Sequence, residues 1–137
     1  PEGLMPSVVE DDTKASPDAV YDLLADVREW GRWRTKNPKV KAKNSPVSVG
    51  DEFNWSAGAP IKSKITEAER GKTLAWTGTS LGLLKAHHRW IFSGTEDGTH
   101  ITCEETISGP IAILIRGSLD KANSEWLSEL QKAPESK

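Results

Sequence analysis

The sequence predicts an α+β protein of helix-grip architecture, in which a curved antiparallel sheet of about six to seven strands wraps around a long C-terminal helix, with two short helices after the first strand. Residues 39–108 alternate apolar and polar side chains with a period of two, the pattern of strands that bury one face. Residues 110–130 instead carry apolar side chains at helical spacing. A chain of 137 residues is the usual size of one domain, so residues 1–137 are predicted to form a single domain with its core at about 8–130.

The first elements are a strand and two short helices. Residues 7–13 read as the strand, and Ser16-Pro17-Asp18 then supplies an N-cap, a proline at the first helical position and an acid in the first turn. The apolar side chains that follow recur at helical spacing: Val20, Leu23, Leu24 and Val27. A second short helix is predicted over residues 28–33, ending before Asn37-Pro38, because a residue that precedes proline disfavours the helical conformation.

Turn signals divide the alternating region into the strands of a meander. They are Val49-Gly50-Asp51, Gly58-Ala59-Pro60, Arg70-Gly71-Lys72 and Asp97-Gly98. Pro110 is predicted to open the final helix, and its apolar stripe comprises Ile111, Leu114, Ile115, Leu119, Ala122, Trp126 and Leu130. The residues after Leu130 are predicted to fray.

The composition argues against several classes of function. The 18 basic and 20 acidic residues nearly cancel, which argues against a nucleic-acid-binding protein that relies on bulk charge. The single cysteine, Cys103, excludes an internal disulfide and a multi-cysteine metal site, as is usual in a reducing compartment. The longest aliphatic run, residues 111–115, is far shorter than the roughly 20 residues that span a bilayer. We therefore expect a cytoplasmic protein without metal or cofactor, although a start at Pro1 leaves a removed leader open.

Several stretches of the chain resemble one superfamily of small domains. They read ASPDAVYDLLADVREWGRW, VGDEFNWSAG, LAWTGTSLG, HHRWIF and DGTHITCEETISGP, and the closing helix follows them. In pattern and order, nearly all of residues 8–130 is similar to the SRPBCC superfamily, the START-like and birch-pollen-allergen-like fold, and most closely to its polyketide cyclase/dehydrase and lipid-transport branch. The resemblance implies a deep, largely apolar cavity between sheet and long helix that holds a hydrophobic or aromatic small molecule. Most members of this kind bind or carry, and some are aromatase/cyclases.

The stretch KAHHRWIF, residues 85–92, contains two adjacent histidines. Successive strand residues point to opposite faces, so His87 and His88 cannot both ligate one metal or line one cavity. His88 shares its parity with Trp90 and Phe92 and is predicted to face inward.

The next strand places Cys103 and Glu105 on its inward parity. A tight turn at residues 96–98 would set His88 beside Glu105, whereas a two-residue slip would set Glu105 beside Trp90. Either register keeps the histidine and the carboxylate on one wall.

Two inward polar groups in an apolar cavity are costly unless they are paired. His88 and Glu105 are therefore interpreted either as satisfying each other, with Arg116 or water as another partner for the carboxylate, or as anchors for a ligand carbonyl or hydroxyl. Their acid/base use in an aromatase/cyclase or dehydratase is the alternative. Structural pairing or passive anchoring is favoured, because buried ion pairs often perturb pKa values without catalysing anything.

The leading hypothesis is a protein that binds or carries a hydrophobic aromatic, polyketide-like or lipid molecule. The aromatase/cyclase or dehydratase is the second hypothesis, and a chaperone-type protein-interaction module is the third. The predicted ligand-binding residues are Phe53, Trp55, Ile65, Trp76, His88, Trp90, Cys103, Glu105, Leu114 and Arg116. For Trp30 and Trp33, packing of a lid against the sheet is favoured over ligand contact. No obligate protein partner is predicted.

Two surface features leave a further partner open. The run of Arg32, Arg34, Lys36, Lys39, Lys41 and Lys43 contains no acid, and a solvated strand edge is favoured over a site for anionic lipid or an acidic partner. Residues 111–115 are apolar all round, which is more than one helix face requires. Burial under loops is the commoner cause, and transient membrane contact is an alternative.

Overall fold

The computed structural model describes residues 4–36 and 38–136, and its sheet is a seven-stranded antiparallel meander. The strands are β1 (Ser7–Thr13), β2 (Lys41–Ala42), β3 (Glu52–Ser56), β4 (Pro60–Glu69), β5 (Thr73–Ser80), β6 (Leu84–Thr95) and β7 (Gly98–Ser108). Their order is β1-β7-β6-β5-β4-β3-β2, so that β1 closes the meander beside the last strand. The curved sheet and the long C-terminal helix confirm the predicted α+β helix-grip fold.

Two short helices follow β1, as predicted. Helix α1 (Pro17–Ala25) has Ser16 as its N-cap, whose side chain accepts a hydrogen bond from the Ala19 amide, as the sequence predicts. The second short helix is a 3₁₀ helix, Val27–Arg32. It ends at Arg32, which agrees with the predicted end before Asn37-Pro38.

Helix α2 (Ala112–Lys132) begins two residues later than the predicted opening at Pro110. The prediction that Leu114 lies on its buried stripe is wrong, because this side chain is 81% exposed. Ala112 is the buried residue of the first turn, and two residues at 100° each turn Leu114 to the opposite face. Helix α2 continues to Lys132 and a 3₁₀ helix, Ala133–Ser136, follows, while the fraying expected after Leu130 stays a prediction.

The predicted strand over residues 39–43 is shortened to β2, which pairs with β3. The side chain of Arg28 explains part of this difference. Its Nε donates to the Ala42 carbonyl at 2.9 Å and its Nη2 to the Lys43 carbonyl at 2.6 Å. These two carbonyls at the edge of the sheet are therefore hydrogen-bonded to a side chain and not to another strand.

The centre of the main core is an aromatic cluster built around Trp30, which is fully buried. Its ring lies 5.3 Å from the rings of Trp55, Trp76 and Trp126, and 5.6 Å from that of Phe53, measured between centroids. Its Nε1 donates to the Leu24 carbonyl at 2.9 Å. Trp30 therefore packs against the sheet, as the sequence favours, but it lies at the centre of the core and not in a lid.

A second, smaller core cluster joins the start of α2 to the sheet. It comprises the buried Ile107, Ala112 and Leu119, with Leu84, Ala86 and Ile115 packed against it. The cavity described next draws its lining from both clusters and therefore lies between them.

Candidate functional site

A cavity of about 540 Å³ lies between the sheet and α2. Its walls come from the β3–β4 turn, the end of β5 with the β5–β6 turn, the inward face of β6, residues 111–126, and Arg34, Lys36 and Pro38. This volume is in the range of small-molecule sites, about 300–1,000 Å³. The lining is predominantly apolar and aromatic, so the cavity suits a hydrophobic molecule with few polar groups.

One part of the cavity wall is made by aromatic rings around His88. Strand pairing sets His88 opposite Trp76 on β5, and their ring centroids are 5.2 Å apart. The Trp126 ring from α2 is also 5.2 Å away, and the Trp90 ring stacks on the imidazole at 5.3 Å. His88 is 4% exposed, so this wall is largely screened from water.

Of the two registers considered for β6 and β7, the structure has the one set by a tight turn. His88 pairs with Glu105 and Trp90 with Cys103, as expected for a tight turn after residue 95. His87 points to the other face, where its Nε2 lies 3.2 Å from Thr66 Oγ1. The two histidines therefore do not line one cavity.

The partners of His88 and Glu105 differ from those predicted. The His88 Nε2 lies 2.9 Å from Cys103 Sγ, whereas its Nδ1 is 4.0 Å from Glu105 Oε2, too long for a hydrogen bond. Asn123 holds the carboxylate instead, its Nδ2 donating to Glu105 Oε1 at 3.0 Å. Arg116 does not pair with Glu105, because its Nε and Nη2 donate to the carbonyls of Met5 and Pro6.

Burial controls the protonation of the groups at this wall. It lowers the pKa of His88 below its ordinary value, and the nearby Glu105 charge opposes this shift only in part. Burial also raises the pKa of the Cys103 thiol well above its ordinary value. His88 and Cys103 are therefore both neutral near pH 7.

Four of the predicted ligand-binding residues line the cavity together: Trp55, Trp76, His88 and Glu105. Phe53, Ile65, Trp90 and Cys103 are buried in the main core instead, and the lining does not include them. Leu114 and Arg116 also lie outside the lining. The inward-facing side chains of the sheet therefore divide into those that line the cavity and those that pack in the core beneath it.

Sequence reasoning missed Asn123, Arg34 and the place of Trp126 in the cavity wall. The sequence places Arg34 in a basic run that is predicted to be solvated, yet its side chain is 13% exposed and its Nε donates to Glu129 Oε1 at 2.7 Å. The available signal was Glu129 itself, because it follows Trp126 by three residues and so shares that buried side of the helix. For Asn123, the signal was a polar residue within an apolar helical stripe.

Trp90 and Trp126 each have a buried indole N–H that makes no hydrogen bond within residues 4–36 and 38–136. A buried donor left without a partner costs about 1–3 kcal/mol. Both rings pack within the aromatic cluster, with their centroids 5.7 Å apart.

Two other kinds of feature are absent from the described part of the chain. No described helix is long and apolar enough to cross a membrane. Within residues 4–36 and 38–136, no three His, Cys, Asp or Glu side chains are grouped so that they could hold a metal ion.

Comparison with known proteins relates the chain to one family. Residues 5–133 match the family model described as polyketide cyclase / dehydrase and lipid transport. No curated protein matches the chain.

Three solved structures with a similar fold cover nearly all of the chain, at identities that relate them by fold alone. Protein MLL2253 from Mesorhizobium loti is 19% identical with a TM-score of 0.82, and the match covers 96% of this chain and 98% of that one. The Aha1 dimer from Colwellia psychrerythraea is 16% identical with a TM-score of 0.73, over 94% and 95% of the two chains. DynU16, a protein in the dynemicin biosynthetic locus, is 17% identical with a TM-score of 0.77, over 95% of this chain and 47% of its own length.

Proposed function

Because the chain belongs to the polyketide cyclase/dehydrase and lipid-transport family, we propose that it binds or carries a hydrophobic ring-containing or acyl molecule in the cavity between the sheet and α2. The cavity carries this proposal. It has room for a small molecule, and Trp55, Trp76 and Trp126 give it flat apolar walls. The similar fold of DynU16, from a biosynthetic locus, supports a small organic ligand.

Titration with N-phenyl-1-naphthylamine, an uncharged apolar fluorophore, tests the proposal. We expect saturable binding of one probe per chain and a change in tryptophan emission, because three tryptophans line the cavity. Ala86→Trp should weaken binding by about tenfold or more, since this residue lines the cavity and the larger ring would fill it. Ala19→Trp, on exposed α1 surface, is the matched control. No saturable binding across a broad panel of lipids and aromatic compounds would refute the proposal.

Catalysis on a polyketide-like substrate is the second candidate, because His88 and Glu105 both line the cavity. Glu105 Oε2 makes no hydrogen bond to a described residue, and a neutral His88 can accept a proton. An aromatase/cyclase or dehydratase would use them as acid and base. His88→Ala should then abolish turnover while leaving probe binding within a few-fold, and turnover that survives the change would exclude this role.

The third candidate is a chaperone-type interaction module. It gains support from the similar fold of the Aha1 dimer. It needs no open cavity, however, so the cavity favours the binding proposal over it. We propose no obligate protein partner and no nucleic acid.

Transient membrane contact during ligand exchange is a further proposal about the cavity entrance. Leu81 lines the cavity and is 70% exposed, and Ile113 is 67% exposed between two lining residues, Ile111 and Ile115. Exposed apolar side chains at an entrance can insert into the headgroup region of a bilayer. Vesicle flotation tests this contact, and Leu81→Asp should reduce the bound fraction.

A further inference from the structure

One cation in the cavity wall is held in a fixed position by two neighbours. The Arg34 side chain is 13% exposed, and its Nε donates to Glu129 Oε1 at 2.7 Å. Its guanidinium carbon lies 4.1 Å from the centroid of the Trp126 ring, which also lines the cavity. A carboxylate on one edge and an indole on one face therefore fix the plane of the guanidinium.

The same contacts leave most of the donors of Arg34 free. A guanidinium has five N–H groups, and only the Nε group of Arg34 makes a hydrogen bond to a described residue. Since Arg34 lines the cavity, the N–H groups on its two Nη atoms are available to a molecule inside it. Two parallel donors of a guanidinium match the two oxygens of a carboxylate.

The carboxylate of Glu129 also accepts hydrogen bonds from donors other than Arg34. Its Oε2 accepts a hydrogen bond from the Thr35 amide at 2.9 Å and another from the Thr35 hydroxyl. These donors share the negative charge of Glu129, which limits how far it neutralises the guanidinium.

The net charge of the lining does not by itself select an anion at this wall. Arg34 and Lys36 contribute two positive charges, and Glu125 is the acid of the lining that acts electrostatically on Arg34. The other acid of the lining, Glu105, is engaged by Asn123. The two positive and two negative charges of the lining therefore cancel, and Glu129 also pairs with Arg34, so the free Nη donors of Arg34 and not net charge favour an anion at this wall.

We infer that Arg34 binds an acidic group of the ligand, which makes the ligand an amphipathic acid with a hydrophobic ring or acyl body. The inference rests on the proposed function, because it assigns the polar end of a molecule whose apolar body fills the cavity. The tryptophan walls contact that body, and the guanidinium binds the oxyanion. Desolvation of this wall strengthens the ion pair relative to one on the surface.

A matched pair of probes tests the inference. N-phenyl-1-naphthylamine and 8-anilinonaphthalene-1-sulfonate share one ring system, and only the second carries an anion. Arg34→Gln should weaken sulfonate binding by about tenfold or more, the usual effect of losing a charged hydrogen bond, and leave the uncharged probe within about threefold. Glu129→Gln should act in the opposite direction and tighten sulfonate binding, because the glutamine amide oxygen can still accept from Arg34 Nε while the competing negative charge is removed.

Lys36→Gln is the matched control for charge alone. Lys36 lines the same cavity, but it is exposed and none of the contacts that fix Arg34 involves it. Its removal should weaken sulfonate binding by less than about threefold, because an exposed charge is screened. If Arg34→Gln does not fold, as judged by circular dichroism, the sign of the Glu129→Gln effect decides the question.

The outcomes separate this inference from the proposed function. Equal losses for both probes in Arg34→Gln would mean that Arg34 only supports Trp126, and would overturn the inference. Sulfonate affinity that is unchanged or weaker in Glu129→Gln would overturn it as well. Failure of both probes and of a broad panel of lipids and aromatic compounds to bind the unmodified protein would instead refute the proposed function.

Discussion

Replacing Trp30 by alanine should lower the free energy of unfolding by about 3–5 kcal/mol, the usual cost of removing a large buried ring. Trp30 is fully buried, and its ring contacts four other aromatic rings. Its loss would leave a void at the point where the 3₁₀ helix, the sheet and α2 meet. Urea unfolding followed by far-ultraviolet circular dichroism measures the change, and that signal reports the backbone rather than the tryptophans.

Trp33→Ala is the matched control, because it removes the same side chain three residues further along. Trp33 is only partly buried at the edge of the same core. The loss should be less than half of that for Trp30. Equal losses would contradict the placement of Trp30 at the centre of the core.

Gly109→Ala and Gly117→Ala should change stability in opposite directions. Gly109 has φ +110°, and a Cβ placed there would lie 2.6 Å from the Leu83 carbonyl oxygen. Backbone strain of this kind costs about 1–3 kcal/mol before the clash is included. Gly117 lies inside α2 with nothing within 4 Å of an added Cβ, so alanine there should stabilise the protein by up to about 1 kcal/mol.

Thermal or urea unfolding of the two variants checks this pair. Gly109 lies where β7 leads into α2 beside the β5–β6 turn, so its replacement should also disturb the cavity entrance and weaken probe binding. Gly117 does not line the cavity, and its replacement should leave probe binding unchanged. A stable Gly109→Ala variant would contradict the described backbone at this junction.

The wall of the cavity that lies on the sheet could be predicted because a strand has a period of exactly two residues. That period alone placed His88, Glu105, Trp55 and Trp76 on one face, and the structure brings all four into the lining. It could not separate them from Trp90 on the same face. Which inward side chains reach the cavity depends on where α2 crosses the sheet, and that crossing is set by packing along the whole helix.

The polar partners could not be predicted for a different reason. Arg34 and Glu129 are separated by 95 residues, and Glu105 and Asn123 by 18, so no local spacing links either pair. A basic residue beside other basic residues reads as solvated until the fold brings an acid to it. Arg34 could therefore not be distinguished from the other basic residues of its run, most of which are exposed as predicted.

The tryptophan cluster has an optical consequence. The Trp126 ring lies between 5.3 and 5.8 Å from those of Trp30, Trp55, Trp76 and Trp90. At such separations excitation energy migrates between indoles, so the cluster absorbs and emits as a coupled set of chromophores. Near-ultraviolet circular dichroism should therefore show exciton bands that belong to the cluster and not to a single tryptophan. A ligand that contacts any one of these rings should change those bands.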